Sequence, residues 1–182
     1  MAQHYFIGIS IAAPAFKLAE QFRAKYMLYE KYKVLPNKDD LHITMRYIGE
    51  MDENRTDTLI SSLHKIANDH TNFNTSITGL KFFGSSSGPR VVYLSVDKVN
   101  ALCNLQIQIA RRTEKILGLE KDHPFVPHIT IAKKRKTTDK MELTTEKITP
   151  VNIQINGFTL FKIHPNIKPS YEPIEYFPLK KS

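Results

Sequence analysis

The sequence predicts an α+β fold of two pseudo-two-fold-related lobes, each with a mostly antiparallel sheet and outer helices, around a cleft between the sheets. The tripeptide His-Ile-Thr occurs at His42 and again at His128, inside segments that alternate polar and apolar residues. Each copy follows a similar strand–helix unit, which indicates a duplicated architecture. Because 182 residues suffice for one compact domain, we expect residues 1–182 to form a single domain with interleaved lobes.

The first half of the chain predicts strand, helix, strand and helix. Residues 5–11 are apolar and β-rich, which is typical of a buried strand. Pro14 suits the first turn of a helix. Residues 36–40 have the composition of a loop, and the first His-Ile-Thr strand follows and ends at Gly49. Asp52 can then cap a second helix.

The second half predicts a similar order with extra strands. Residues 73–83 and 90–96 favour two strands, and a third helix closes at Gly118 before the second His-Ile-Thr strand. Residues 137–149 predict a short helix or an ordered loop. Residues 151–163 alternate and predict one long strand, while the prolines near residues 171–179 favour an edge strand.

Composition restricts the partners of the protein. Lys plus Arg exceed Asp plus Glu by 26 − 18 = 8 charges, which favours polyanions such as RNA, although many basic proteins bind none. Cys103 is the one cysteine, so no intramolecular disulfide can form. The chain has no run of about 18 apolar residues and no signal-peptide pattern at its start. We therefore expect a cytoplasmic monomer without a membrane partner.

The repeated tripeptide carries the chemistry. Successive side chains of a strand point to opposite faces, so His42 and Thr44 share one face, as do His128 and Thr130. Two imidazoles that titrate near neutrality can act as general acid and general base, and the hydroxyls can hold a phosphate. This scheme needs no metal or cofactor, and no metal-binding motif is recognisable. Chance recurrence of a short tripeptide is the alternative.

Two neighbours of the first motif are further candidates for substrate binding. Alternation places Arg46 on the face of His42 and Thr44, where it could contact phosphate. Tyr47 falls on the core face by the same rule, so stacking on a nucleobase is the less favoured of its two interpretations. The five other histidines lack a Thr partner and are expected to be structural or exposed; they are His4, His64, His70, His123 and His164.

The motifs and their flanks resemble the 2H phosphoesterase superfamily, and within it the bacterial RNA 2′,3′-cyclic phosphodiesterases, also called the 2′-5′ RNA ligase family. The similarity covers most of the chain. It comprises Tyr5-Phe6-Ile7-Gly8-Ile9, residues 41–50, Phe82-Phe83-Gly84 with residues 89–94, residues 125–133, Phe158-Thr159-Leu160 and Tyr171-Glu172-Pro173-Ile174.

The resemblance implies metal-independent opening of a 2′,3′-cyclic phosphate at an RNA end, leaving a 2′-phosphomonoester. It implies that His42 is the proton donor to the 3′ oxygen and that His128 is the proton acceptor that activates water. Thr44 and Thr130 would hold the phosphate. Lys133 stands where the family often has arginine, and it retains the charge for phosphate but not the planar fork.

Three alternatives remain open at this level. One is a related phosphodiesterase or ligase for 2′-5′ linkages, and another is a phosphodiesterase for a small cyclic nucleotide. The third is a non-catalytic RNA-binding module that uses the basic surface. The basic run of residues 133–136 could follow an RNA backbone or form a solvated loop.

Overall fold

The computed structural model describes residues 2–182, within which the chain forms nine strands and four α-helices. Two short 3-10 turns precede β3 and α3. The elements are β1 (His4–Ser10), α1 (Ala15–Lys25), α2 (Leu28–Lys31), β2 (Tyr32–Val34), β3 (His42–Glu50), α3 (Thr56–Asn68), β4 (Phe73–Phe83), β5 (Val91–Val96), α4 (Asn100–Leu117), β6 (His128–Arg135), β7 (Glu146–Ile155), β8 (Gly157–Ile163) and β9 (Tyr171–Pro178).

The strands form two similar lobes within one sheet. Their order is β7-β4-β5-β6-β3-β1-β8-β9, and β2 also pairs with β6. The order reads the same from either end once β3 is equated with β6, β1 with β5, β8 with β4 and β9 with β7. All ladders between these strands are antiparallel. The predicted bilobal fold is therefore confirmed.

The two lobes meet at the strands that carry the repeated tripeptide. Strands β3 and β6 are joined by a single ladder pair, Ile43 with Ile129, and both residues are fully buried. The sequence predicted two sheets with a cleft between them. The structure instead has one sheet that narrows to one pair of residues at the cleft, because the motif strands are themselves neighbours.

One helix from each half of the chain packs against the motif strand of the other half. Helix α1 follows β1 but packs against β6, whereas α4 follows β5 but packs against β3. The apolar faces of these helices are buried, as shown by Ala19 and Phe22 in α1 and Leu105 and Ile109 in α4. Because α1 and α4 cross from one lobe to the other, the two lobes are interleaved.

Three predictions about the last third of the chain can be compared with the structure. Residues 151–163 do not form one strand, since β7 and β8 are separated at Asn156 and lie in different lobes. Alternation continues through the break, so periodicity alone does not reveal a crossing made within one residue. Residues 137–149, predicted to be a short helix or an ordered loop, form a loop up to residue 145 and the start of β7 from Glu146 onwards. The position of β9 at one end of the sheet confirms the predicted edge strand.

No helix in residues 2–182 is long and apolar enough to span a membrane.

Candidate active site

The pairing of Ile43 with Ile129 sets the arrangement of the four motif side chains. In antiparallel register, one step along each strand places His42 across from Thr130, and Thr44 across from His128. All four residues are partly exposed, while the residues between them are buried. The two motifs therefore present their imidazoles and hydroxyls on one face of the sheet, with each histidine beside the threonine of the other motif.

Both imidazoles are held by the same contact. Nδ1 of His42 lies 2.7 Å from the carbonyl oxygen of Asp40, and Nδ1 of His128 lies 2.7 Å from that of Val126. A carbonyl oxygen can only accept, so each Nδ1 carries a hydrogen. In the neutral rings Nε2 is then unprotonated, and Nε2 of His42 accepts a hydrogen bond from the Thr44 hydroxyl at 2.9 Å. Proton exchange with a substrate is left to Nε2 in both rings.

Aromatic rings surround each imidazole. The ring centroid of His42 lies 4.7 Å from Phe6 and 5.1 Å from Tyr171. That of His128 lies 5.2 Å from Phe83 and 5.1 Å from Tyr93. Aromatic surroundings exclude water and disfavour the charged form of histidine.

The surroundings lower the basicity of both imidazoles. Burial lowers the pKa of His42 from 6.5 to about 4, and the neighbouring Lys133 and His128 act in the same direction. The hydrogen bond to the Asp40 carbonyl opposes this effect on the pKa. Burial also lowers the pKa of His128, against the effect of its bond to Val126. Without a ligand, both rings are therefore neutral at pH 7.

A β-bulge follows each motif at the same position. In β3 the register passes from Thr44 opposite Gly8 to Arg46 opposite Ile7, which leaves Met45 without a partner on β1. In β6 it passes from Thr130 opposite Tyr93 to Ala132 opposite Val92, which leaves Ile131 unpaired. A bulge inserts one extra residue and reverses the alternation beyond it.

The first bulge overturns the predicted placement of Arg46 and Tyr47. Arg46 does not share the cleft face with His42. It is buried on the opposite face, where its guanidinium lies 2.9 Å from the Asp122 carboxylate and donates to the Glu120 carbonyl at 2.6 Å. The predicted contact of Arg46 with phosphate thus loses its geometric basis. Tyr47, expected in the core, is 51% exposed and faces the cleft.

The second bulge places Lys133 in the position that corresponds to Tyr47. Each is the fifth residue after its histidine, and both line the cleft beside His42 and Thr44. Burial and the adjacent Lys134 lower the pKa of Lys133. The cleft thus has an aromatic side chain on one rim and an amine on the other.

The cleft contains a solvent-open cavity of about 180 Å³. The part of its lining beside His42 is aromatic, with rings contributed by β1, β3 and β9. His128 is not among its lining residues, which are Phe6, Pro36, His42, Thr44, Tyr47, Thr130, Lys133, Ile163 and Tyr171.

Three residues that position His42 were not identified from the sequence, namely Asp40, Tyr171 and Gly8. Asp40 is buried, and its carboxylate accepts from the backbone N–H of Ser170 and Tyr171 while its carbonyl holds His42. It therefore fixes Tyr171 beside the imidazole. A Cβ on Gly8 would lie 3.0 Å from the Ile43 carbonyl oxygen and 3.3 Å from the His42 ring. In the sequence, only the position of Asp40 two residues before His42 could have indicated such a role.

Within the basic run, the side chains are divided between the cleft and the fold. Arg135 donates to the Asp139 carbonyl and lies over the Tyr32 ring, and Lys136 donates to the Tyr29 carbonyl at 2.9 Å. Lys134 is exposed. Residues 133–136 thus do not form a continuous strip of unpaired basic side chains.

The remaining histidines lie outside the lining of the cavity. His64 and His164 pair with Glu175 and Glu172, and His70 contacts the carbonyl of Ile66. His4 lies at the rim, where its Nδ1 is 2.7 Å from the Tyr47 hydroxyl.

Comparison with known proteins identifies the family of the chain. A family model described as the 2′-5′ RNA ligase superfamily matches residues 11–166. The chain belongs to the 2′-5′ RNA ligase superfamily. The membership predicted from the two motifs is therefore confirmed.

Curated relatives include proteins named RNA 2′,3′-cyclic phosphodiesterase. The one from Bacillus subtilis is 30% identical over 97% of this chain and 96% of its own length. The one from Thermotoga maritima is 25% identical over 86% of this chain and 84% of its length. A Geobacillus stearothermophilus relative is 25% identical over 97% of this chain, which spans 57% of that protein. These names agree with the enzyme class predicted from the motifs.

Solved structures match the fold over almost the whole chain. A Thermus thermophilus protein superposes with a TM-score of 0.83 at 21% identity, covering 98% of this chain and 99% of that one. Escherichia coli LigT, solved as a complex with 3′-AMP, gives 0.77 at 21% identity with the same coverage. The arrangement of the lobes is thus shared with these structures.

Proposed function

We propose that the protein hydrolyses the 2′,3′-cyclic phosphate at an RNA end to a 2′-phosphomonoester, with His42 as general acid and His128 as general base. The observation that carries the proposal is the pairing of the two motif strands at the cleft, with both Nδ1 atoms bound to carbonyls. Two Nε2 atoms remain for proton transfer on either side of a phosphorus atom. Relatives bearing the name of this activity over nearly full length support it.

In this reaction two protons move in opposite directions. The Nε2 atom of His128 takes a proton from water as its oxygen attacks phosphorus. The P–O3′ bond breaks, and Nε2–H of His42 gives its proton to O3′. The product retains phosphate on O2′, and exchange with solvent returns both rings to their starting states. General acid–base catalysis of this kind contributes about 10²–10⁴-fold to a rate.

The shape of the cleft supports the assignment of the acid to His42. Water must attack from the side opposite to O3′, so the nucleoside stays on the side of the acid. The cavity and its aromatic lining, including Phe6, Tyr47 and Tyr171, lie beside His42, whereas His128 is outside that lining. A nucleobase stacks favourably on such rings. We therefore infer that the nucleoside occupies the cavity and that water enters beside His128.

The substrate supplies the charge that makes His42 an acid. In the free protein its pKa is about 4, so the ring is neutral near pH 7. A cyclic phosphodiester places a negative charge near His42 and Lys133, which raises the pKa of the imidazole. The Thr44 and Thr130 hydroxyls and the Lys133 amine would then donate to the non-bridging oxygens and stabilise charge in the transition state.

The test is hydrolysis of a short RNA with a 2′,3′-cyclic end in the presence of EDTA, with separation of 2′- and 3′-phosphate products. We expect the 2′-phosphate. His42→Asn and His128→Asn each keep a side-chain N–H for the carbonyl, and each should lower the rate by about 10²-fold or more. His64→Asn, far from the cleft lining, is the matched control and should retain activity.

Each contrary result has a distinct meaning. A 3′-phosphate product would show that the P–O2′ bond breaks instead of the P–O3′ bond. That result would overturn the assignment of acid and base. Normal activity in either motif variant would refute the two-histidine scheme. Turnover of 2′-5′-linked dinucleotides but not of the cyclic end would favour the related phosphodiesterase. Salt-sensitive RNA binding without turnover would indicate a binding module.

A further inference from the structure

The two bulges leave a backbone carbonyl free at the same position of each motif strand. Met45 has no ladder partner on β1, and Ile131 has none on β5. The single pair between β3 and β6 is at Ile43 and Ile129, so it satisfies neither carbonyl. Met45 is 1% exposed and Ile131 is fully buried, so water does not satisfy them either. A buried carbonyl without a hydrogen-bond partner destabilises the fold.

A side chain from a crossing helix bonds each of these carbonyls. Gln106 of α4 donates from Nε2 to the Met45 oxygen at 3.1 Å, and Arg23 of α1 donates from Nε to the Ile131 oxygen at 3.0 Å. Gln106 is 7% exposed and Arg23 is 1% exposed. The same contact therefore occurs in both lobes, made each time by the helix that follows the strand paired with the opposite motif strand.

The bulges decide which side chain reaches the cleft. Without the extra residue, strict alternation would turn Tyr47 and Lys133 to the helix side and bring Arg46 and Ala132 to the cleft. The burial of both Met45 and Arg46 shows that alternation is interrupted there. Ile131 and Ala132 are likewise both buried.

We propose that Gln106 and Arg23 are positioning residues for substrate recognition, because they hold the two bulges that turn Tyr47 and Lys133 into the cleft. Gln106 acts on the ring that faces the nucleoside, and Arg23 acts on the amine that faces the phosphate. The bulge-holding role stands on the geometry alone, whereas the effect on substrate rests on the proposed function.

Gln106 offers the cleaner test, since its side chain makes this one bond, while Arg23 also bonds Pro36 and Glu20. Gln106→Leu keeps the approximate volume and removes the donor. We expect kcat/KM for the cyclic-phosphate RNA to fall about tenfold, mainly through KM, which is the size of one lost base-stacking contact. Gln108→Leu changes the same residue type on the exposed face of α4 and should leave kinetics unchanged.

A double-mutant cycle separates positioning from a merely structural role. If Gln106 acts through Tyr47, Gln106→Leu should cause little further loss of kcat/KM in a Tyr47→Ala background. In a Lys133→Ala background its effect should remain about tenfold, because Lys133 follows the other bulge. Equal losses in all three backgrounds would show a general effect on the fold and overturn the proposal. So would normal kinetics in Gln106→Leu.

A spectroscopic measurement keeps the proposal independent of the reaction. Tyr47 lies beside His4 of β1, with ring centroids 6.4 Å apart and its hydroxyl 2.7 Å from Nδ1, so the two rings should give mutual proton NOEs in the free wild-type protein. Gln106→Leu should weaken these NOEs, while Gln108→Leu should not. Unchanged NOEs would refute the role of Gln106 in holding the bulge. If the NOEs behave as expected but no cyclic phosphate is hydrolysed, only the proposed function fails.

Discussion

At the scale of single residues, the site depends on how each imidazole is surrounded. Nδ1 is bound to a carbonyl in both rings, and aromatic rings lie within about 5 Å. The pKa of both histidines is lowered by burial, and Lys133 adds its positive charge to the effect on His42. A bound phosphodiester would offset this positive charge, so we expect protonation of His42 to be coupled to occupancy of the site.

Removal of the Lys133 charge should make His42 easier to protonate. Lys133 lowers the pKa of His42 by charge repulsion, so Lys133→Met is expected to raise that pKa towards 6.5 in the free protein. The change should appear as a higher midpoint in an NMR titration of the His42 ring protons. The pKa of His128, which is lowered by burial, should move less.

Lys134→Met is the matched control for this titration. Lys134 is the adjacent lysine, but it is exposed and is not among the groups that shift the pKa of His42. A His42 midpoint that is the same in Lys133→Met and in the wild type would contradict the assigned electrostatic cause.

At the scale of secondary structure, close approach of β1 and β3 fixes the position of the first imidazole. Gly8 lies opposite Thr44, and its missing side chain leaves room for the ring of His42. Phe6 and Tyr171 then close around that ring from β1 and β9. The strand pair thus sets the position of the His42 ring as directly as the motif itself does.

Gly8→Ala should displace the His42 ring. Its Cβ would lie 3.0 Å from the Ile43 carbonyl oxygen and 3.3 Å from the ring, closer than nearly all observed contacts. Overpacking of this kind costs about 1–3 kcal/mol of unfolding free energy, and kcat should fall as well. Urea unfolding and hydrolysis of the cyclic-phosphate RNA measure the two effects.

Gly118→Ala separates the loss of activity from a loss of stability. Gly118 ends α4 with φ of 67°, and a Cβ at this position would have no other atom within 4 Å. Alanine there costs about 1–2 kcal/mol through the left-handed backbone but leaves the cleft unchanged. If Gly8→Ala were destabilised to a similar degree yet fully active, the packing against His42 would not matter for catalysis.

The sequence predicted the motif faces correctly up to Thr44 and Thr130, where strand alternation is regular. It was wrong for Arg46 and Tyr47, because a bulge reverses alternation without a change in overall hydrophobic pattern. In the second motif, two successive apolar residues, Ile131 and Ala132, were a readable sign of the same feature. In the first motif the extra residue is followed by a charged residue, Arg46, which is buried because it pairs with Asp122. The sequence pattern therefore gave no sign of this bulge.

At the scale of the whole molecule, the two lobes meet through few direct strand contacts. One ladder pair joins β3 to β6, while helices α1 and α4 cross between the halves. The buried side chain of Arg46 adds a third link. It extends from the first motif strand to Asp122 and Glu120, in the segment that leads to His128. The relative position of the two imidazoles therefore depends on contacts made outside the cleft.

Arg46→Met should loosen the segment before His128 while leaving His42 in place. The variant keeps an apolar stem but loses the bond to Glu120 and the ion pair with Asp122. We expect faster amide hydrogen exchange in residues 119–127 and altered His128 ring resonances. A small misplacement of the base lowers kcat, by up to about 10²-fold for a shift of 1 Å, whereas KM should change little because the cavity lies beside His42.

Arg55→Met provides the control for the loss of an arginine near α4. Arg55 donates to the Ile116 carbonyl at 2.9 Å, within the last turn of α4 and not within residues 119–127. It should leave kcat and the His128 resonances unchanged. Equal changes at His42 and His128 in Arg46→Met would indicate general destabilisation. A shift confined to His128 would establish that the first motif strand positions His128 through Arg46, since no cleft contact of His128 is altered directly.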